Sequence, residues 1–89
     1  MQTYEDNVTG VSDVEMAKVM EWVTQGRAAQ RKTLNRRITS YSLKHVIEQA
    51  MGTYISNYAC IEGLKRMGFT AKPITGTPNY YFNISLKKQ

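Results

Sequence analysis

The chain has 89 residues, a formal net charge of +5, 42% hydrophobic residues and one cysteine. That length holds one domain around one modest core. No apolar run approaches the roughly 18 residues of a membrane span, residues 1–10 lack the basic and apolar regions of a secretory leader, and Cys60 has no partner for an internal disulfide, so a cytoplasmic setting is expected.

The charge is unevenly spread. Residues 1–25 hold five acids (Glu5, Asp6, Asp13, Glu15, Glu21) and one base, Lys18. Residues 26–89 hold eleven bases and two acids, Glu48 and Glu62. A mildly acidic leader is thus joined to a basic body. Such a body steers toward phosphate-rich or acidic partners, although net charge also serves solubility alone.

Residues 1–11 contain turn-formers and no sustained period, which predicts a flexible acidic arm. Residues 12–89 read as one domain. Ser12-Asp13-Val14-Glu15 is a capping box. Met16, Val19, Met20 and Val23 follow at helical spacing, with Trp22 beside them. The first helix is expected at about residues 13–25. Gly26 is a plausible stop, but Ala28-Ala29-Gln30-Arg31-Lys32 could also carry the helix on, with Gly26 costing about 1 kcal/mol inside it.

Residues 27–37 are the most basic segment: Arg27, Arg31, Lys32, Arg36 and Arg37, with no acid. They read either as a solvated linker or as a phosphate-contacting arm. Arginine's forked donors favour the arm. Ile38, between a basic pair and a cap, suggests a short strand at residues 36–39.

The stretch SYSLKHVIEQAMGTYISNYACIEGLKRMGF, residues 40–69, carries the strongest fold signal. Ser40 suits an N-cap. A helix at about residues 41–51 buries Leu43, Val46, Ile47, Ala50 and Met51. Tyr41, Lys44, His45, Glu48 and Gln49 point away. Gly52 stops it in the left-handed conformation, and Ile55 anchors the turn. Ser56 caps a helix at about residues 56–67, with Cys60, Ile61, Leu64 and Met67 inside. Tyr58, Glu62, Lys65 and Arg66 lie outside, with Ala59 beside them, and Gly68-Phe69 is the stop.

Residues 70–86 read as a β-hairpin turning at Gly76-Thr77-Pro78-Asn79. Tyr80, Phe82, Ile84 and Leu86 alternate with Tyr81, Asn83 and Ser85, the mark of a half-buried strand. Pro73 suits an edge strand. The class is therefore α+β, and Lys87-Lys88-Gln89 is a basic frayed end.

The order helix, short strand, helix, turn, helix, two-stranded hairpin resembles a three-helix winged helix-turn-helix domain. The pattern LKHVIEQAMG…ISNYACIEGLKRMGF resembles the helix-turn-helix of many transcription regulators over roughly residues 36–86. Ile55-Ser56 stands where the second helix of that motif opens, and Gly68-Phe69 where it closes. The turn is longer than the tight form by Thr53 and Tyr54. The SYSLKH…YISN…GF…YFNIS pattern also resembles short, mostly uncharacterised proteins carried on phages and plasmids.

These resemblances imply a small DNA-binding regulator of a mobile element, with duplex DNA as partner. The third helix would then contribute Asn57, Tyr58, Lys65 and Arg66, with Glu62 facing cytosine or repelling phosphate. The hairpin would contribute Lys72, Thr77 and Asn79. Arg31, Lys32, Arg36 and Arg37 would neutralise phosphates. A homodimer is implied, with the apolar side of the first helix, Trp22 included, as its contact. The competing reading is a phage-type inhibitor or adaptor that binds a host protein on the same scaffold.

Six tyrosines suggest base stacking, but they are scattered rather than spaced along one sheet face, and packing explains them better. His45 points out and Cys60 in, so no metal site or Cys-His pair is expected. Without a glycine-rich phosphate loop or a carboxylate pair, neither enzyme activity nor a cofactor is expected.

Overall fold

The computed structural model describes the backbone of residues 4–87 and the side chains of residues 13–87. Residues 1–3 of the expected arm, and residues 88–89 of the expected frayed end, lie outside the described residues. Six elements follow one another: α1 (Tyr4–Thr24), β1 (Ala28–Asn35), α2 (Ser40–Met51), α3 (Asn57–Arg66), β2 (Ala71–Pro73) and β3 (Tyr80–Leu86). The strands form one antiparallel sheet in the order β1-β3-β2, so the last strand is the central one. The fold is α+β, with three described helices against a three-stranded sheet.

The first helix departs from the expected bounds. The chain is already helical at Tyr4, and α1 runs through the capping box for 21 residues. A capping box marks a place where a helix can begin, but upstream turns can satisfy the same amides through i→i−4 bonds. Glu15 is then free for another task. Its carboxylate accepts from the backbone N–H of Ser56 at 2.8 Å, at the start of α3. Gly26 is a stop, with φ +80 and its N–H donated to the Val23 carbonyl.

The basic segment is neither a linker nor a strand at residues 36–39. Its residues 28–35 form β1, an edge strand of eight residues, with Arg27, Arg36 and Arg37 flanking it. Ala28, Ala29 and Gln30 pair with Leu86, Ser85 and Ile84, and Asn35 pairs with Phe82. Residues 31–34 therefore bulge out opposite the single residue Asn83. Side chains hold this bulge. The Asn83 amide donates to the Arg31 carbonyl at 3.0 Å, and the Asn35 amide donates to the Ile84 carbonyl at 3.0 Å. Sequence periodicity misses such a strand because its one residue in the buried core is the small Ala28.

The two glycine stops at residues 52 and 68 take φ of +69 and +94. Ser56 caps α3 by accepting from the Ala59 N–H at 3.0 Å. For α2 the cap is Thr39, whose side chain accepts from the Ser42 N–H at 3.4 Å. Ser40 lies inside the helix, fully buried, and accepts from the Tyr80 N–H at 3.0 Å, so the first turn of α2 anchors the start of β3.

Leu43, Ile47, Ile55, Leu64, Phe82 and Ile84 are fully buried with Val19 and Trp22. Each large aliphatic or aromatic contributes about 1.5–3 kcal/mol by leaving water. Four orientations differ from the wheel. Lys44 is inside, at 6% exposure, whereas Val46 and Ala50 face out. Ala59 is fully buried. Trp22, at 1% exposure, belongs to the core and offers no surface to a second copy.

Helix α1 packs on α3 where Gly63 meets Val19. A Cβ built on Gly63 would lie 2.8 Å from the Val19 Cβ. Alanine gains about 1 kcal/mol of helix propensity over glycine, but Val19 can yield only by moving the α1 backbone. Gly63→Ala is therefore expected to destabilise the protein by about 1–2 kcal/mol net, toward the upper part of the overpacking range. Urea unfolding should show this loss, and it should shrink in a Val19→Gly background, which removes both the Cβ and the Cγ1 that the new methyl would meet at 2.8 Å. Equal losses in both backgrounds would contradict the contact.

Candidate nucleic-acid interface

The sheet has one face on the core and one turned away from the helices. Phe82 and Ile84 point inward, with Tyr80 packed against the same core. Alternation puts Tyr81 on the outer face. Lys72 is the register partner of Tyr81 on β2. From the other side Arg36, just beyond β1, places its guanidinium 5.3 Å from the centre of the Tyr81 ring. Lys72, Tyr81 and Arg36 thus form one row across the three strands. Arg31 and Lys32 stand exposed on the neighbouring bulge, and Arg37 donates its backbone N–H to the Asn35 side chain at 3.0 Å.

Charge is sorted between the two layers. Residues 26–39 and 70–87, which form the sheet and its connections, contain Arg27, Arg31, Lys32, Arg36, Arg37, Lys72 and Lys87 and no acid. None of these cations is in an ion pair among the described residues. Helix α1 carries five acids against Lys18.

The α3 face is less available than its sequence suggested. The Asn57 amide donates to the Pro78 carbonyl at 3.2 Å and to the Asn79 side-chain oxygen at 3.0 Å, so these two asparagines clamp the hairpin loop to α3. Thr77 closes the same loop: its hydroxyl donates to the Ile74 carbonyl and accepts from the Asn79 N–H, both at 3.0 Å. Lys65 lies 3.5 Å from the Glu62 carboxylate. Arg66 is exposed near the end of the helix, and Tyr58 is half-buried. Asn57, Tyr58, Ile61, Glu62, Pro78 and Tyr80 line a groove of about 460 Å³ between helix and loop.

A third cluster lies at the turn between α2 and α3. Glu48 accepts from the Lys44 ammonium, the His45 ring and the Ile55 backbone N–H, each at 3.0 Å. Lys44 lies between the rings of Tyr54 and Tyr41, at 4.8 and 5.8 Å. Sequence reading placed Lys44 outward because it treated the wheel as uniform; the two rings cover its stem and cation. Burial alone pushes the Glu48 carboxyl up, but the Ile55 amide, Lys44 and His45 outweigh it and hold the group below the usual carboxylate range.

Of the residues expected to contact nucleic acid, Arg31, Lys32, Arg36, Arg37 and Lys72 belong to the sheet and its connections. Asn57, Tyr58, Glu62, Lys65, Arg66, Thr77 and Asn79 belong to α3 and the hairpin loop. The structure does not merge them into one row. Sequence reasoning missed Tyr81, whose signal was its place on the polar side of the last strand.

No protein-family model, no curated protein and no solved structure matches the chain. No helix among the described residues is long and apolar enough to cross a membrane. No group of three or more His, Cys, Asp or Glu among them is placed to hold a metal ion.

Two predictions follow, one from the half-buried Glu48 carboxylate and one from the buried Cys60 thiol. A carboxylate held below its ordinary pKa stabilises the fold above that value, and the contribution is lost as pH falls through the lowered one. Glu48→Gln should therefore cost about 1–3 kcal/mol at pH 7, and its melting temperature should converge on that of the parent as pH drops below the ordinary carboxylate value. A gap that stays constant down to strong acid would remove the carboxylate from this role. Burial pushes the Cys60 thiol up to about 12. Iodoacetamide at pH 8 should leave it unlabelled in the folded protein and label it fully in denaturant.

Proposed function

We propose that this chain is a small nucleic-acid-binding protein of winged helix-turn-helix design, acting on duplex DNA as a regulator of a mobile element. In this reading α2, the turn at residues 52–56 and α3 form the helix-turn-helix, and β2, β3 and their loop form the wing. The order α1-β1-α2-α3-β2-β3 supports this assignment. The likeness of the central stretch to phage- and plasmid-borne proteins supports the mobile-element origin.

The observation that carries the function is the sorting of charge. Seven cations and no acid lie on the sheet and its connections, while the acids concentrate on α1. Surface lysines and arginines kept only for solubility are ordinarily interspersed with acids. An acid-free layer is instead suited to a polyanion, where each neutralised phosphate releases counterions and adds about −0.9 to the slope of log K against log salt.

A protein partner is the second reading. Tyr41 and Tyr54 are 54% and 64% exposed beside the Lys44–Glu48 cluster, and exposed tyrosines are enriched at protein interfaces.

Titration of a labelled duplex of about 25 base pairs against salt decides between them. The DNA reading expects binding at low salt that weakens steeply with added salt, and a slope shallower by about 2 in the Arg36→Ala/Arg37→Ala double variant. A protein that binds no duplex at low salt, but retains a partner from host lysate after nuclease treatment, would overturn the DNA reading in favour of the second.

A further inference from the structure

Within the nucleic-acid reading, on which this rests, we infer that the phosphate backbone lies across the outer face of the sheet and the β1 bulge, not along α3. The contacts are Arg31 and Lys32 on the bulge and Arg36 and Lys72 on either side of Tyr81. Four observations lead there.

The first is the local ratio of charges. Helix α3 offers Lys65 and Arg66 against Glu62, and Glu62 sits 3.5 Å from Lys65. A polyanion approaching α3 must displace or face that carboxylate. Across the outer sheet face no carboxylate from the sheet or its connections answers the cations.

The second is prior commitment. The Asn57 amide at the α3 start donates both to the Asn79 side-chain oxygen at the wing tip and to the Pro78 carbonyl. Contact with bases or phosphates would first break these bonds and release the loop.

The third is preorganisation. The Tyr81 ring holds the Arg36 guanidinium at 5.3 Å, and the register sets Lys72 against the same ring. The side-chain entropy lost when a long cation is immobilised on binding is thereby already reduced.

The fourth is the bulge itself. Residues 31–34 oppose one residue of β3, so Arg31 and Lys32 stand out beyond the ladder. Charges and a bulge on an edge strand also discourage edge-to-edge pairing, and Lys72 on the other edge strand serves that purpose too, but that purpose does not require Arg36 over the central strand.

The test compares three double variants of the full chain, each first checked for an unchanged melting temperature: Arg31→Ala/Lys32→Ala, Arg36→Ala/Lys72→Ala and Lys65→Ala/Arg66→Ala. On a 25-base-pair duplex, each sheet variant should weaken binding at 100 mM salt by about tenfold or more and flatten the salt slope by about 2. The α3 variant should change the slope by less than 1. Amide spectra with added duplex should shift signals in β1 and around Tyr81 and leave α3 near its free positions. Sheet variants that bind like the parent while the α3 variant loses affinity would overturn this surface and leave the DNA reading intact. Equal losses on both faces would also overturn it. A parent protein that binds no duplex at low salt removes the DNA reading itself. If either sheet variant melts lower, Arg36→Gln and Lys72→Gln, tested singly, carry the same comparison.

Discussion

The side chain of Asn83 holds together the part of the molecule that carries its charge. Its oxygen accepts from the Thr70 N–H at 2.7 Å, and its nitrogen donates to the Arg31 carbonyl at 3.0 Å. One buried amide in the central strand thus ties down both neighbours, where an unbroken ladder would need β1 in continuous register. The bulge exists because this substitute bond exists. An apolar residue there would leave a donor and an acceptor without their partners, at about 1–3 kcal/mol for each one kept from water. The arginine and lysine of the bulge are therefore displayed by a strand that the sheet grips through side chains.

The same exchange of local for distant partners runs through the helices. Ser12 and Glu15 spell a capping box, yet Glu15 serves the start of α3, 41 residues away. Ser40 looks like a cap and instead receives the first amide of β3, while Thr39 does the capping. Both helices were legible from their apolar spacing. Their beginnings were harder to read, because a hydroxyl or carboxylate near a helix start can accept from any amide that tertiary packing brings within 3 Å. Gly26, Gly52 and Gly68 were better guides, since positive φ is a local requirement that distant residues do not alter.

What the sequence hid about the candidate site has a similar cause. The cations of residues 27–37 were visible as a run, and the basic body was plain from composition. Their common surface was not, because β1 lacks the apolar alternation that announces a strand. The row of Lys72, Tyr81 and Arg36 depends on the pairing register of three strands, which no window along the chain contains. Lys44 shows the opposite error. Its place on the wheel was read as outward, but Tyr41 and Tyr54 close over it and Glu48 meets its charge, so polarity alone misjudged its burial.

Helix α3 is then better understood by what it buries. Ala59, Cys60, Ile61, Gly63 and Leu64, half of its ten residues, face the interior, and its contacts reach both α1 and α2. A helix so enclosed has little perimeter left for a ligand, and its start is already bound to the hairpin loop. The sheet has the reverse character, with one face in the core and the other carrying cations without acids. The acids of α1 lie in the other layer of a molecule measuring 40 × 30 × 19 Å. At physiological salt the Debye length is about 8 Å, so a polyanion arriving at the sheet would respond chiefly to the near layer. Sorting charge by layer keeps the net charge modest while leaving one face strongly positive, and it sets which side of the domain turns toward a polyanion.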